Sequence, residues 1–166
     1  MSREIAAYSS VALIESPDNY VVHHRPNLRA GTLAYAGRYQ FLGGHRDRIE
    51  GELEAPDVTI VREISEETNL GRLPIDSFTE YWQGLFEGTG KHGEPIVRHV
   101  TCFHLGLSAL QASGMEVKKL EGGELVYVKK TIEAVEELAD RLTPFAYTML
   151  AAHVRGRKPE LQIERI

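Results

Sequence analysis

The segment from Pro56 to Asn69 constrains the fold more than any other in the chain. Pro56 suits a first helical position, and Val58, Val61 and Ile64 then recur at three-residue spacing, with Ile60 widening the same face. Asn69 and Gly71 tolerate left-handed backbone, so a helix is predicted from about Pro56 to Thr68. Its start is less sharply marked than its end, because Ala55 is a poor N-cap. On this helix Glu63, Glu66 and Glu67 stand at i, i+3 and i+4 and share one face. Like charges in that arrangement weaken an isolated helix by roughly 0.2–0.5 kcal/mol per pair, so something should compensate. A hard divalent cation such as Mg²⁺ takes oxygen ligands from one or two carboxylates plus substrate phosphates, which makes this face a candidate metal site. Arg62 can also pair with Glu66 one turn on. For a generic Glu-rich helix a solvated acidic face is the commoner reading, and the surrounding sequence has to decide between the two.

Before the helix, Ala6 to Glu15 and Asn19 to Arg25 are β-rich runs joined by the turn formers Ser16-Pro17-Asp18. Tyr39 to Leu42 is a predicted short strand running into Gly43-Gly44, a pair that marks a turn or a close backbone approach. After the helix, Phe78 to Glu87 and Val97 to Leu107 flank a polar, Gly-rich segment as two long antiparallel strands would. Leu125 to Lys129 reads as a last strand, followed by helices over Ile132 to Arg141 and Thr143 to Arg155. Thr143-Pro144 supplies a cap and a first turn for the second of these. The 166 residues, 42% hydrophobic and 26% charged, suit one compact α+β domain over 1–156 with a loosely held extension at 157–166.

Several classes of function are disfavoured. The longest apolar runs fall far short of a membrane span, which takes about 20 residues, and the charged N-terminal residues do not read as a secretory signal. A cytoplasmic protein with no membrane partner is expected. A net charge of −5 argues against a broad basic surface for duplex nucleic acid, while leaving room for a small nucleotide held through a metal. Cys102 is the single cysteine and lies in an apolar-alternating stretch, so it is expected to be buried and inert. His23, His24, His45, His99 and His104 show no compact metal-ligand spacing, and no zinc site is expected from them.

The run Arg62-Glu63-Ile64-Ser65-Glu66-Glu67-Thr68-Asn69-Leu70 resembles the second half of the Nudix box, the signature Gly-x5-Glu-x7-Arg-Glu-U-x-Glu-Glu-x-Gly-U, where U is a bulky aliphatic residue. Glu54 stands at the required seven-residue gap before Arg62, and Gly43-Gly44 resembles the family's turn into the box. Asn69 replaces a Gly, and Leu42 replaces a common Pro. Nine residues, His45 to Leu53, separate Gly44 from Glu54 where the family usually has five. This apparent four-residue insertion leaves Glu50 and Glu52 as alternatives to Glu54, which could instead act only on the helix dipole.

The resemblance implies an α/β/α sandwich around a mixed β-sheet. It also implies Mg²⁺-dependent hydrolysis of a diphosphate linkage in a nucleoside diphosphate derivative, by water attack at phosphorus, with Mn²⁺ able to substitute. Glu63, Glu66 and Glu67 are then candidate metal ligands, with the Gly44 carbonyl completing the shell and Arg62 orienting a carboxylate. The general base is open between the box and a later loop carrying Glu116 and Glu121. Arg38, Arg46 and Tyr39 are candidates for substrate contact, Arg38 and Arg46 as bidentate phosphate donors, and Trp82 and Phe86 could stack on a base. The rival reading is a catalytically silent Nudix-fold module that binds a nucleotide or a protein. Oligomeric state is open, homodimers being common in the superfamily.

Overall fold

Ser16-Pro17-Asp18 turns strand β1 (Ile5–Glu15) back into β2 (Asn19–His24), and the two pair antiparallel next to the turn, Ile14 opposite Val21. The computed structural model describes residues 4–24, 37–89, 92–118 and 122–160. Beyond that first contact β1 and β2 diverge, and the chain from Tyr39 to His45 fills the wedge. Its first part, β3 (Tyr39–Gln40), pairs with β2, and its second, β4 (Leu42–His45), pairs with β1. Phe41 is the crossing point, which is why the single strand expected over Tyr39 to Leu42 is divided.

On its other edge β1 runs parallel to β8 (Pro95–Gly106), which pairs antiparallel with β7 (Phe78–Thr89). The far edge of β2 carries β9 (Glu124–Lys129). The sheet is therefore mixed.

Strand alternation sends Ala12 and Ile14 to one face and Leu13 to the other, and each face has its own core. Helices α1 (Pro56–Glu67) and α2 (Ala109–Gly114) cover the first face; α3 (Ile132–Glu137) and α4 (Pro144–Val154) cover the second. The result is the expected α/β/α sandwich. Helix α1 buries Thr59, Ile60, Val61, Ile64 and Glu67, while Val58 is 45% exposed, so the inward face is rotated from the one that three-residue spacing suggested. Helix α3 stops at Glu137, short of the expected Arg141. Sequence reasoning missed α2, whose Ser108 and Gln111 form a reciprocal capping box. Cys102 is fully buried in β8.

The apparent insertion is a small hairpin, β5 (Arg48–Ile49) with β6 (Glu52–Leu53). Its turn residues Glu50 and Gly51 have φ of 52° and 83°, the left-handed pair of a type I′ turn. The Glu54 amide donates to the Asp47 carbonyl at 2.7 Å and closes the base of the hairpin. Residues 48–52 are exposed, and Glu54 at the base of the hairpin pairs with Arg62.

At the other end, the Arg157 carbonyl accepts from the Tyr81 hydroxyl at 3.1 Å and Pro159 is buried. No helix among the described residues is long and apolar enough to cross a membrane.

Candidate active site

Gly43 and Gly44 on β4 meet the inward side of α1. At Gly43, φ is +147° and a Cβ would strike the Ser10 carbonyl oxygen and approach the Val11 Cα to 2.7 Å, so only glycine fits opposite β1. At Gly44 a Cβ would lie 2.6 Å from the Glu63 carboxyl carbon, because the Glu63 side chain occupies that space. The Gly43 amide donates to Glu67 Oε1 at 3.0 Å. Glu67 is 2% exposed, whereas the Glu66 side chain is 57% exposed. Ser10 fixes the start of the helix by donating its hydroxyl hydrogen to the Pro56 carbonyl at 2.9 Å. The glycine turn and the acidic face are thus brought together by β1, β4 and α1.

Arg62 organises the outer side of this cluster. Its Nη2 and Nε donate to Glu54 Oε1 and Oε2 at 2.9 and 3.1 Å, a bidentate pair. Its Nη1 donates to Glu63 at 3.0 Å and Glu66 at 3.2 Å, and Nη2 also reaches the His45 carbonyl at 3.1 Å. Glu54 further accepts from the Thr59 hydroxyl at 2.7 Å.

Hydrogen bonding to Arg62 first, and to Thr59 and the Asp47 amide after it, outweighs burial and holds the Glu54 carboxyl down to about 2. The same pairing raises Arg62 above its ordinary value. The alternatives Glu50 and Glu52 are exposed on the hairpin.

The residues suit a hard divalent ion. Glu63 and Glu67 border a backbone cradle that a Cβ would fill, Glu66 stands on the same helix face beside Arg62, and oxygen donors are what Mg²⁺ or Mn²⁺ takes.

On the α4 face, the same glycine pair borders a cleft of about 190 Å³. Phe41, Phe86 and Phe145 supply its apolar wall, Arg98 a cation, and Thr143 and Pro144 the N-terminal end of α4, where the helix dipole favours negative charge. Among the described residues, Arg38, Arg46 and Tyr39 do not line it. Arg38 reaches the Leu142 carbonyl at 3.4 Å, Arg46 donates to the Glu54 carbonyl at 2.7 Å, and the Tyr39 ring meets His24 edge-on at 5.0 Å. Glu116 is exposed on a loop tied by its backbone to Asn69 at the end of α1. Glu121 lies outside the described residues.

No protein-family model and no curated protein matches this sequence. Solved structures do. The chain is similar to a MutT protein from Methanosarcina mazei Go1, with a TM-score of 0.64 and 18% identity over 94% of this chain and 97% of that one. A mutT/nudix family protein from Listeria innocua gives a TM-score of 0.60 and 21% identity over 89% and 91% of the two chains.

The chain has the Nudix fold.

It is also similar to a bifunctional NMN adenylyltransferase/ADP ribose pyrophosphatase from Francisella tularensis, complexed with AMP and a manganese ion. There the TM-score is 0.61 and the identity 16%, over 93% of this chain and 42% of that longer one.

Within the Nudix fold, the nine residues between Gly44 and Glu54 include the β5–β6 hairpin, whose closed base leaves Glu54 beside Arg62. Sequence reasoning missed Phe41, Arg98 and Phe145 as cleft residues. They come from three segments far apart in the chain, and no local spacing could have grouped them. It also found no metal grouping among the histidines, yet folding brings His104 and His153 together with Glu15.

Proposed function

We propose that this chain is a Nudix-type pyrophosphohydrolase that cleaves the diphosphate linkage of a nucleoside diphosphate derivative. The observation that carries the reading is the convergence of Glu63 and Glu67 on the Gly43-Gly44 backbone, which also borders the cleft containing Arg98. The similarity to a fold that includes an ADP ribose pyrophosphatase supports it. Residues 1–156 would form the catalytic domain, acting in the cytoplasm, with Mg²⁺ as the ion and Mn²⁺ able to replace it.

Glu63, Glu66 and Glu67 would hold the ion, with the Gly44 carbonyl beside them. When bound, it supplies charge neutralisation for the phosphate oxygens and activation of the attacking water. Arg62, fixed by Glu54, orients Glu63 and Glu66 so that their oxygens are aimed before substrate arrives, which lowers the reorganisation needed in the reaction. In the cleft, the phenylalanine wall suits the flat face of a base, and Arg98 with the α4 N-terminus suits a phosphate. Hydrolysis joins the water oxygen to phosphorus as the bridging P–O bond breaks, and a proton of the water passes to a carboxylate of the cluster.

The test is phosphate release from a panel of nucleoside diphosphate derivatives, coupled to a phosphatase, for the wild type and Glu67→Gln. Turnover that requires Mg²⁺, is abolished by a chelator and collapses in the variant would support the reading. A folded protein that binds nucleotide but turns over no panel member would favour the binding module instead.

A further inference from the structure

A second group of potential ligands lies at the far end of β1. Glu15 ends that strand, His104 is on β8 and His153 is on α4, and one ligand atom from each lies within 4.8 Å of the others. Glu15 is five residues beyond Ser10, which faces Gly44, so about 16 Å of extended strand separates this group from the acidic helix face.

His104 Nε2 and Glu15 Oε1 are 2.6 Å apart, and the His104 and His153 rings stack with centroids 5.4 Å apart. All three residues are partly exposed, so an ion can reach them.

Two outer contacts organise the group. Tyr20, itself buried, places its hydroxyl 2.7 Å from His153 Nδ1, which leaves Nε2 as the nitrogen for a metal. That is the arrangement of metal-binding histidines, whose second ring nitrogen is held by an oxygen that fixes ring orientation. Lys130 donates to Glu15 Oε2 at 3.1 Å and leaves Oε1 directed at His104. An isolated Glu–His pair would require neither the stacked second imidazole nor the tyrosine behind it.

We propose that Glu15, His104 and His153 form a binding site for a divalent transition ion of the Zn²⁺ type, distinct from the carboxylate cluster of α1. Two imidazoles and one carboxylate suit Zn²⁺ or Co²⁺, whereas Mg²⁺ prefers all-oxygen sites. Tetrahedral coordination places ligand atoms about 3.4 Å apart, so His153 closes inward and the Glu15–His104 contact opens. The ion displaces the proton shared by that pair, and water fills the fourth position. Bound there, it ties α4 to two strands of the sheet.

The full chain, stripped with a chelator and dialysed, is titrated with Zn²⁺ and with Co²⁺ in the presence of Mg²⁺. The expected result is a single equivalent bound, with the intense visible absorption of four-coordinate Co²⁺ and a zinc-dependent rise in Tm. His104→Asn and His153→Asn should each weaken binding at least tenfold and remove the visible band, while phosphate release is unchanged. Tyr20→Phe keeps the buried ring and should weaken binding by about 10–100-fold. Glu67→Gln should leave the zinc titration as in the wild type. Unaltered zinc binding in a folded His104→Asn/His153→Asn double variant would overturn the site, as would loss of zinc binding in Glu67→Gln.

Discussion

A methyl group at Gly44 would contact the end of the Glu63 side chain, and one at Gly43 would contact the backbone of β1. Side-chain ends can move, whereas a central strand cannot. Gly44→Ala should therefore fold but displace Glu63 by about an ångström, a misplacement that can cost about 100-fold in rate. Gly43→Ala should lose roughly 2–5 kcal/mol of stability through strain and overpacking. Phosphate release beside urea unfolding separates the two outcomes.

Glu54 has a different signature. Its folded carboxyl is held at about 2 against an ordinary value of 4.5, so it contributes stability above pH 4.5 that is lost as pH falls through about 2. Glu54→Gln gives up this charged pairing and should cost about 1–3 kcal/mol near neutrality. The stability difference from the wild type should narrow steadily between pH 4.5 and 2 in urea titrations. A difference that stays constant over that range would mean Arg62 is not what holds Glu54.

The elements differ in how far the sequence announces them. Helix α1 is legible because its proline start and run of apolar residues agree, although extended Thr68 ends it and the first left-handed residue beyond is Gly71. The long β7–β8 pair is legible because its apolar runs flank a Gly-rich loop. The β5–β6 hairpin is not, since two-residue strands carry no periodicity and their charged residues resemble a loop. Its one clue was Glu50-Gly51 at the turn. Helix α2 had a better signal, Ser108 followed three residues later by Gln111, but at six residues it is too short to show an apolar stripe. In the candidate site, the carboxylates of one helix could be read from spacing, whereas the cleft and the Glu15–His104–His153 group are assembled only by the sheet.

The hairpin makes its own prediction. A Cβ on Gly51 meets nothing within 4 Å, so Gly51→Ala should cost only the left-handed backbone penalty, about 1–2 kcal/mol. Because the hairpin stands apart from both cores, the loss should appear as about 5–30-fold faster amide exchange at Ile49, Glu52 and Glu54, whose amides cross the hairpin. The midpoint of global unfolding should hardly move.

At the scale of the whole molecule, the two cores on opposite faces of the sheet share β1 and β8. Cys102 lies in the core beneath α3 and α4 with no exposed surface, and burial pushes its thiol well above the ordinary value. A small alkylating reagent should therefore leave the native chain unmodified. Labelling should begin only when the sheet opens, with a denaturant dependence that matches global unfolding. Rapid labelling in buffer would mean that β8 separates from its neighbours without the rest.

The parallel pairing of β1 with β8 also sets a schedule for the nascent chain. Ser10 finds its partner in Thr101, so roughly ninety residues must be added before that edge of β1 is closed. Elongation at about 5–20 residues per second leaves an apolar strand, destined for the middle of the sheet, bare for roughly 5–20 s. The growing polypeptide is thus most open to aggregation while its acidic helix has already been translated, and shielding of β1 on or near the ribosome would govern how much of it matures.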